Sequence, residues 1–386
     1  MTDKIKLTLL TAYSSKDSAD LRKTQAKKIA QLFSDFVGQA RQSIHIAIYD
    51  FRLEEPEAQI VIDALNKAAE SGIDVRIAYF QPSKKHASAS EFAFNGSDPA
   101  PGPDEAFLGR LNKDIPFKAI AGIEKLPSDA TSLPIEGGGH LMHSKYIIRD
   151  GLAPSATVWT GSANFTTDAW SIQDNNIVTL ESQDIAGYYE TDFAELWETG
   201  RIAGTGKNDH GKTKIDNVGV DVDFAPGDGS AMDSDIAIHI SAAKKEIMLA
   251  SMVISSGVVL GALVDAIERS VKISGVYDGP QMEQVIKNFG KSTSGTGQAK
   301  IEQWGTIKKY LVAKHSTPYS DNGPHDFMHN KVLVVDQQVV ATGSYNFSQN
   351  ATRNAENKIT LYDEAIASQY EQYIEGLISK YKIKNT

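Results

Sequence analysis

The chain has 386 residues, 41% of them apolar and 23% charged, the balance of an ordinary globular protein with two domains or one bilobal one. It has no cysteine, which excludes disulfide scaffolds, cysteine zinc sites and thiol nucleophiles. Its net charge of −10 excludes a wholesale basic surface but not a local basic groove.

No apolar run reaches the ~18 residues of a membrane span. The short patch Leu7, Leu9, Leu10 lacks the long apolar region and cleavage site of a signal peptide, so a cytoplasmic protein without a transmembrane anchor is expected. Further along, residues 43–50 (SIHIAIYD) alternate and are β-rich, which predicts a strand. A helix is expected over about 56–72, with Ile60, Ala64, Leu65 and Ala68 on one face, and a strand over 74–80. The stretch 82–106 reads as a rim loop, and Gly137, Gly138 and Gly139 read as a flexible loop. The blocks HSKYIIRD (143–150), GSANFT (161–166) and NNIVTL (175–180) follow. An amphipathic helix then carries Ile185, Tyr189, Phe193 and Trp197.

A segment rich in Gly, Asp and Lys at about 204–230 reads as a linker. It divides the chain into lobes at 1–205 and 206–386. The same order then repeats. A strand is expected at 246–254, a helix at 258–270 and a strand at 271–278, followed by a second rim loop at 289–299. The blocks HNKVLVVD (329–336), GSYNFS (343–348) and ENKITL (356–361) come next, and a helix carries Ile366, Tyr370, Ile374 and Ile378. One unit is thus written twice. Its alternation predicts an α/β protein with a mixed sheet in each lobe, covered by helices, and a pseudo-twofold axis between the lobes. A site between the copies would draw matching residues from both, so a monomer suffices for one complete site.

The residues that carry chemistry recur in register. His143, Lys145 and Asp150 in the first copy match His329, Lys331 and Asp336 in the second. Gly161, Ser162 and Asn164 match Gly343, Ser344 and Asn346. On a strand, residues i and i+2 share a face, so each His-x-Lys presents an imidazole beside an ammonium. Two of each, with two asparagines, suit a phosphodiester. Lysines and asparagines hold its non-bridging oxygens, one histidine attacks phosphorus and the other protonates the leaving oxygen. The lysines supply the positive charge, so neither a metal nor another cofactor is called for. His140, His315 and His325 show no metal spacing and are expected at surface or rim positions. Lys308, Lys309, Lys314 and His315 form a local basic cluster that could track a phosphodiester backbone or line a solvated helix face.

These motifs resemble the signature of the phospholipase D superfamily, His-x-Lys-x4-Asp-x6-Gly-Ser-x-Asn. The second copy matches fully, with six residues between Asp336 and Gly343, whereas the first has ten between Asp150 and Gly161. The resemblance covers nearly the whole chain and implies the superfamily's duplicated fold. It implies that His143 becomes a covalent phosphohistidine and that His329 is the acid, then the base for water. Lys145, Lys331, Asn164 and Asn346 would bind phosphate, with Ser162 and Ser344 in support. Asp150 and Asp336 would be structural. A carboxylate some ten residues after Gly-Ser-x-Asn would orient a histidine: Glu356 in the second copy, and Asp174 or Asn175, ten or eleven residues after Asn164, in the first, where aligning Asn176 with Asn357 puts Asn175 opposite Glu356.

The second copy, with its Asn-Ala-Glu-Asn run at 354–357, looks like the superfamily's small bacterial nucleases. Nucleic acid is therefore the expected substrate. The alternative is a phospholipid, cut by a phospholipase D or moved by a phosphatidyl transferase of the cardiolipin synthase kind. A non-catalytic scaffold would show a lost motif His or Lys, and neither is lost.

Overall fold

The computed structural model describes residues 2–13, 17–81, 105–122, 140–291, 295–320 and 323–383. The glycines at 137–139, residues 82–104 of the first rim loop and 292–294 of the second lie outside the described residues.

Two mixed sheets organise the molecule. The first has strand order β1-β9-β7-β6-β2-β4-β5, from β1 (Ile5–Leu10), β2 (Ser43–Ile48), β4 (Asp74–Gln81), β5 (Phe117–Ala121), β6 (Lys145–Arg149), β7 (Thr157–Gly161) and β9 (Asn175–Glu181). The second has order β10-β11-β17-β16-β15-β12-β13-β14. Its strands are β10 (Gly211–Ile215), β11 (Val218–Ala225), β12 (Glu246–Ser251), β13 (Lys272–Asp278), β14 (Val312–Lys314), β15 (Lys331–Val335), β16 (Val339–Gly343) and β17 (Glu356–Tyr362). A short pair, β3 (Phe51–Arg52) with β8 (Phe165–Thr166), stands apart. Apart from β10, the two orders superpose strand for strand. β2 runs parallel to β4 and antiparallel to β6, as β12 does to β13 and β15.

Helices complete the layers. α1 (Ala19–Gly38) and α2 (Glu57–Glu70) cover the outer face of the first sheet, sealed by Ile29, Phe33, Val61 and Leu65 against Ile44, Ile46 and Ile48. Beyond them come α3 (Glu105–Leu108), α4 (Thr167–Ser171) and α5 (Gln183–Thr199). In the second lobe α6 (Gly229–Ala242) and α7 (Gly257–Glu268) play the covering role through Ile236, Leu260 and Leu263. α8 (Gly279–Lys291), α9 (Gly295–Ile307) and α10 (Glu364–Ile383) follow among the described residues. The inner faces of both sheets share one core with α5 and α10, in which Tyr146, Tyr189, Val222, Val334, Ile359 and Tyr370 are buried together. The lobes are therefore joined by a continuous apolar layer, and β2 buries both faces, as strands between two helix layers do.

Two expectations on organisation are corrected. The 204–230 segment is not a free linker, because β10 and β11 occupy Gly211–Ile215 and Val218–Ala225. Val218, Val220, Val222 and Phe224 alternate into the shared core, a period of two that the Gly, Asp and Lys around them obscure. The described parts of 289–299 belong to α8 and α9, not to a loop. The Leu7–Leu10 patch is part of β1, antiparallel to β9. Among the described residues no helix is long and apolar enough to cross a membrane.

Candidate active site

The two motifs sit where the lobes cross. Met142 forms a parallel bridge with Ala355, and Asp174 forms one with Met328. His143 N donates to Ala355 O at 2.8 Å, and His329 N donates to Asp174 O at 3.0 Å. Each motif histidine thus enters its strand from a backbone pinned by the opposite lobe.

The side chains cross as well. His143 Nδ1 lies 2.8 Å from Glu356 Oε2, and His329 Nδ1 lies 2.8 Å from Asn175 Oδ1. All four residues are fully buried. Ser344 Oγ donates to the same Glu356 oxygen at 2.6 Å, and Asn354 Nδ2 donates to the other at 3.0 Å. Ser162 Oγ donates to Asn175 Oδ1 at 2.8 Å. The motif serines therefore brace the group that holds the opposite lobe's histidine.

The motif glycines explain their own identity. Gly161 and Gly343 have φ of 137° and 142°. A Cβ on either would meet the carbonyl oxygen of Asn176 or Asn357 at 2.3 Å. Only glycine fits so close to the neighbouring strand.

The lysines lie against their histidines. Lys331 Nζ donates to His329 O at 2.8 Å and approaches His329 Nε2 at 3.0 Å. Lys145 Nζ donates to His143 O at 2.8 Å and stands 5.1 Å from the centre of the Tyr49 ring, which itself packs 5.0 Å from the His143 ring. Asn164 and Asn346 are 3% and 1% exposed. Among the described residues, the Asn346 amide has no hydrogen-bond partner on either atom. A buried amide in that state is costly unless a ligand meets it.

Asp150 and Asp336 face away from this chemistry. Asp150 accepts from the backbone N–H groups of Arg41, Gln42 and Ser43, and Asp336 from those of Lys244, Lys245 and Glu246. Each ties the start of β2 or β12 to the end of the motif strand. Burial pushes the Asp336 carboxyl up, but its three N–H donors outweigh that and hold it below the usual carboxylate value.

Asp174 does not orient His329, contrary to expectation. Its carboxylate accepts from Lys314 Nζ at 2.7 Å, Tyr381 Oη at 2.6 Å and Ala12 N at 2.8 Å. Asn175, the first residue of β9, takes the role because the strand starts one residue later than the ten-residue spacing implies. The same ion pair dissolves the expected basic cluster, since Lys314 is buried while Lys308, Lys309 and His315 are exposed. His140 and His325 are buried, not at the surface. Burial, with Arg353 nearby, pushes His140 down to about 4. His325 packs between Tyr319 and Phe327 and hydrogen-bonds Ser320 O.

Several supporting residues escaped sequence reasoning. Asn357 Nδ2 reaches across the lobes to Thr160 Oγ1 at 2.7 Å and Tyr189 Oη at 3.0 Å. Asn176 Oδ1 accepts from Thr342 Oγ1 and Tyr370 Oη, both at 3.1 Å. The signal lay in the doubled Asn that follows Glu356 and Asn175 at equal distance.

Comparison with known proteins agrees with this geometry. The family described as "Cardiolipin synthase, PLD-like domain" matches residues 33–197 and 236–378. The phospholipase D of Rickettsia bellii is 31% identical over 138 residues, which cover 36% of this chain and 59% of that protein. The chain thus spans about three fifths of the curated relatives it matches. Phosphatidylserine synthase of Haemophilus influenzae shares the fold with a TM-score of 0.61 at 12% identity, over 97% of this chain and 86% of that one. The phospholipase D family member Nuc of Salmonella typhimurium aligns over 43% of this chain and 96% of its own, at 24% identity and a TM-score of 0.32. With one copy of the family's domain in each lobe, the chain belongs to the PLD-like domain family of the phospholipase D superfamily.

Proposed function

We propose that the chain is a metal-independent phosphodiesterase that cleaves DNA or RNA through a phosphohistidine at His143. The observation that carries this reading is the crossed pair of bonds from His143 to Glu356 and from His329 to Asn175. A ring fixed at Nδ1 works through Nε2, one as nucleophile and the other as proton donor. Lys145, Lys331, Asn164 and Asn346 bind the phosphate oxygens, and the two ammonium groups carry the charge that a metal would otherwise supply. Ser162 and Ser344 brace Asn175 and Glu356. One chain furnishes both halves of the site.

The nucleic-acid reading draws support from the likeness of the second motif to the small bacterial nucleases. A phospholipid substrate is the second reading, favoured by the name phospholipase D that the Rickettsia relatives carry. The deciding experiment sets wild type and His143→Ala, in EDTA, against single- and double-stranded DNA, RNA and phosphatidylglycerol vesicles. Strand cleavage that the variant loses is expected. Headgroup release or phosphatidyl transfer without strand cleavage transfers the assignment to lipid.

A further inference from the structure

Two parallel bridges lead into the motif strands, one for each lobe, and what lies beyond them differs. Beyond the Met142–Ala355 bridge stand His140 and Arg353. Leu141 N donates to Asn354 Oδ1 at 2.9 Å, and Ala355 N donates to Leu141 O at 2.8 Å, so the two segments leave the site side by side. His140 is three residues from His143, and Arg353 is three from Glu356. On extended chain that is about 10 Å.

Arg353 ends a single 3-10 turn, Ala351–Arg353, whose first two residues are buried. Its backbone is thereby fixed while its side chain is exposed. Among the described residues its guanidinium forms no ion pair or hydrogen bond. Burial, with the Arg353 charge, holds His140 at about 4, so at neutral pH Arg353 is the cation of this flank. His140 Nδ1 is buried with no hydrogen-bond partner among the described residues, a costly state for a polar atom unless something meets it.

The opposite flank inverts this. Beyond the Asp174–Met328 bridge, the motif register puts Ile172 where Arg353 stands and Asp326 where His140 stands. Ile172 is buried. Asp326 accepts from Thr317 N at 2.7 Å, and Asp168 Oδ2 lies 3.9 Å from His325 Nδ1. The nearby cations are committed, Lys314 to Asp174 and Arg52 to both oxygens of Asp50. One flank of the junction offers a guanidinium and the other offers carboxylates.

We propose that Arg353 anchors a second phosphate of the substrate, next to the one being cleaved, and that this one-sided anchor holds a nucleic-acid strand in a single direction. The proposal rests on the nucleic-acid reading, and it makes Arg353 a substrate-binding residue, not a catalytic one. A guanidinium suits the task because its planar fork meets two phosphate oxygens at once. In that reading Lys145, Lys331, Asn164 and Asn346 serve the scissile phosphate, so the more distant Arg353 meets its neighbour. On the other side the strand passes Asp168 and Asp326, where no uncommitted cation rewards a phosphate.

The test compares three thymidine dinucleotides in EDTA: one without a terminal phosphate, one phosphorylated at the 5′ end and one at the 3′ end. In wild type one of the two terminal phosphates is expected to raise kcat/KM about tenfold, mainly through KM, and the other is not. Arg353→Ala removes this preference, and Arg353→Lys keeps part of it. On a longer single strand, Arg353→Ala also reduces the slope of log(kcat/KM) against log[salt] by about 0.7 in magnitude. An equal gain from both ends, a gain from neither, or a preference that survives Arg353→Ala overturns the proposal. Wild-type protein that cuts neither the dinucleotides nor longer strands, yet releases headgroup from phosphatidylglycerol vesicles, refutes the nucleic-acid reading itself, a distinct result.

Discussion

His143 of the first lobe is held at Nδ1 by Glu356 of the second, 2.8 Å away in space and 213 residues away in the chain. The bond can form only when both copies are folded and docked, so the His143 ring is aligned by the fold as a whole. Glu356→Gln keeps the volume and the Ser344 contact but removes the charge. It is expected to lower kcat by about 10²-fold or more and, because its amide N–H₂ meets the Asn354 donor, to lower the thermal transition modestly. A near-wild-type kcat would show that the carboxylate does not serve the ring.

Asp150→Ala and Asp336→Ala are expected to separate stability from chemistry. Each leaves a set of backbone N–H groups without their acceptor, at a cost of about 1–3 kcal/mol, while kcat of the folded protein stays near wild type. For Asp336 the sign in pH follows from its lowered value. Its contribution is full above the unfolded carboxyl value of 3.8 and fades as pH falls through the lower folded value. Urea titrations at pH 7 and pH 3 check both statements.

Asp174→Ala removes the carboxylate that neutralises Lys314 inside the lobe junction. Breaking one side of a buried pair costs about 3–5 kcal/mol. The Asp174→Ala/Lys314→Met double variant is expected to recover much of that loss in a urea titration. If Asp174→Ala alone is neutral, the pair does not support the junction.

A fourth expectation concerns Asp209, fully buried and close to Glu195 and Asp228. Burial pushes its carboxyl up to about 7, against the opposing bond from its own backbone. A carboxyl raised above its unfolded value of 3.8 penalises the folded state fully above pH 7 and not at all below pH 3.8. Asp209→Asn is therefore expected to raise the Tm by a few degrees at pH 8 and to have little effect near pH 4. A gain independent of pH would contradict the burial argument.

The motif residues were legible because the chemistry demands particular residue types at fixed spacing, and the chain spells that spacing twice. The strands around them were legible for the same reason as any amphipathic element, as with the alternation of Ile44, Ile46 and Ile48. What stayed hidden depends on partners distant in sequence. Lys314 looks like part of a basic patch until Asp174, 140 residues away, is found against it. Asp174 and Asn175 are adjacent; the ten-residue spacing favours the first and the match of Asn176 with Asn357 the second, and the register of β9 settles it for Asn175. β10 and β11 were lost because polar residues between Val218, Val220 and Val222 resemble a linker when composition is weighed above period. The Asn-Ala-Glu-Asn run also changes meaning. Asn354 and Glu356 are buried in the hold on His143, so the run also positions a motif histidine.

The central claim is covalent catalysis by His143 without a metal. The most direct measurement is rapid alkaline quench, in EDTA, of the protein mixed with a diester labelled at the scissile phosphorus, followed by peptide mapping of the label. The account predicts acid-labile, base-stable label on His143 that appears before product and is absent in His143→Ala, and single-turnover cleavage that His329→Ala also loses. Cleavage that stops in EDTA, or that proceeds in the His143→Ala protein, would contradict it.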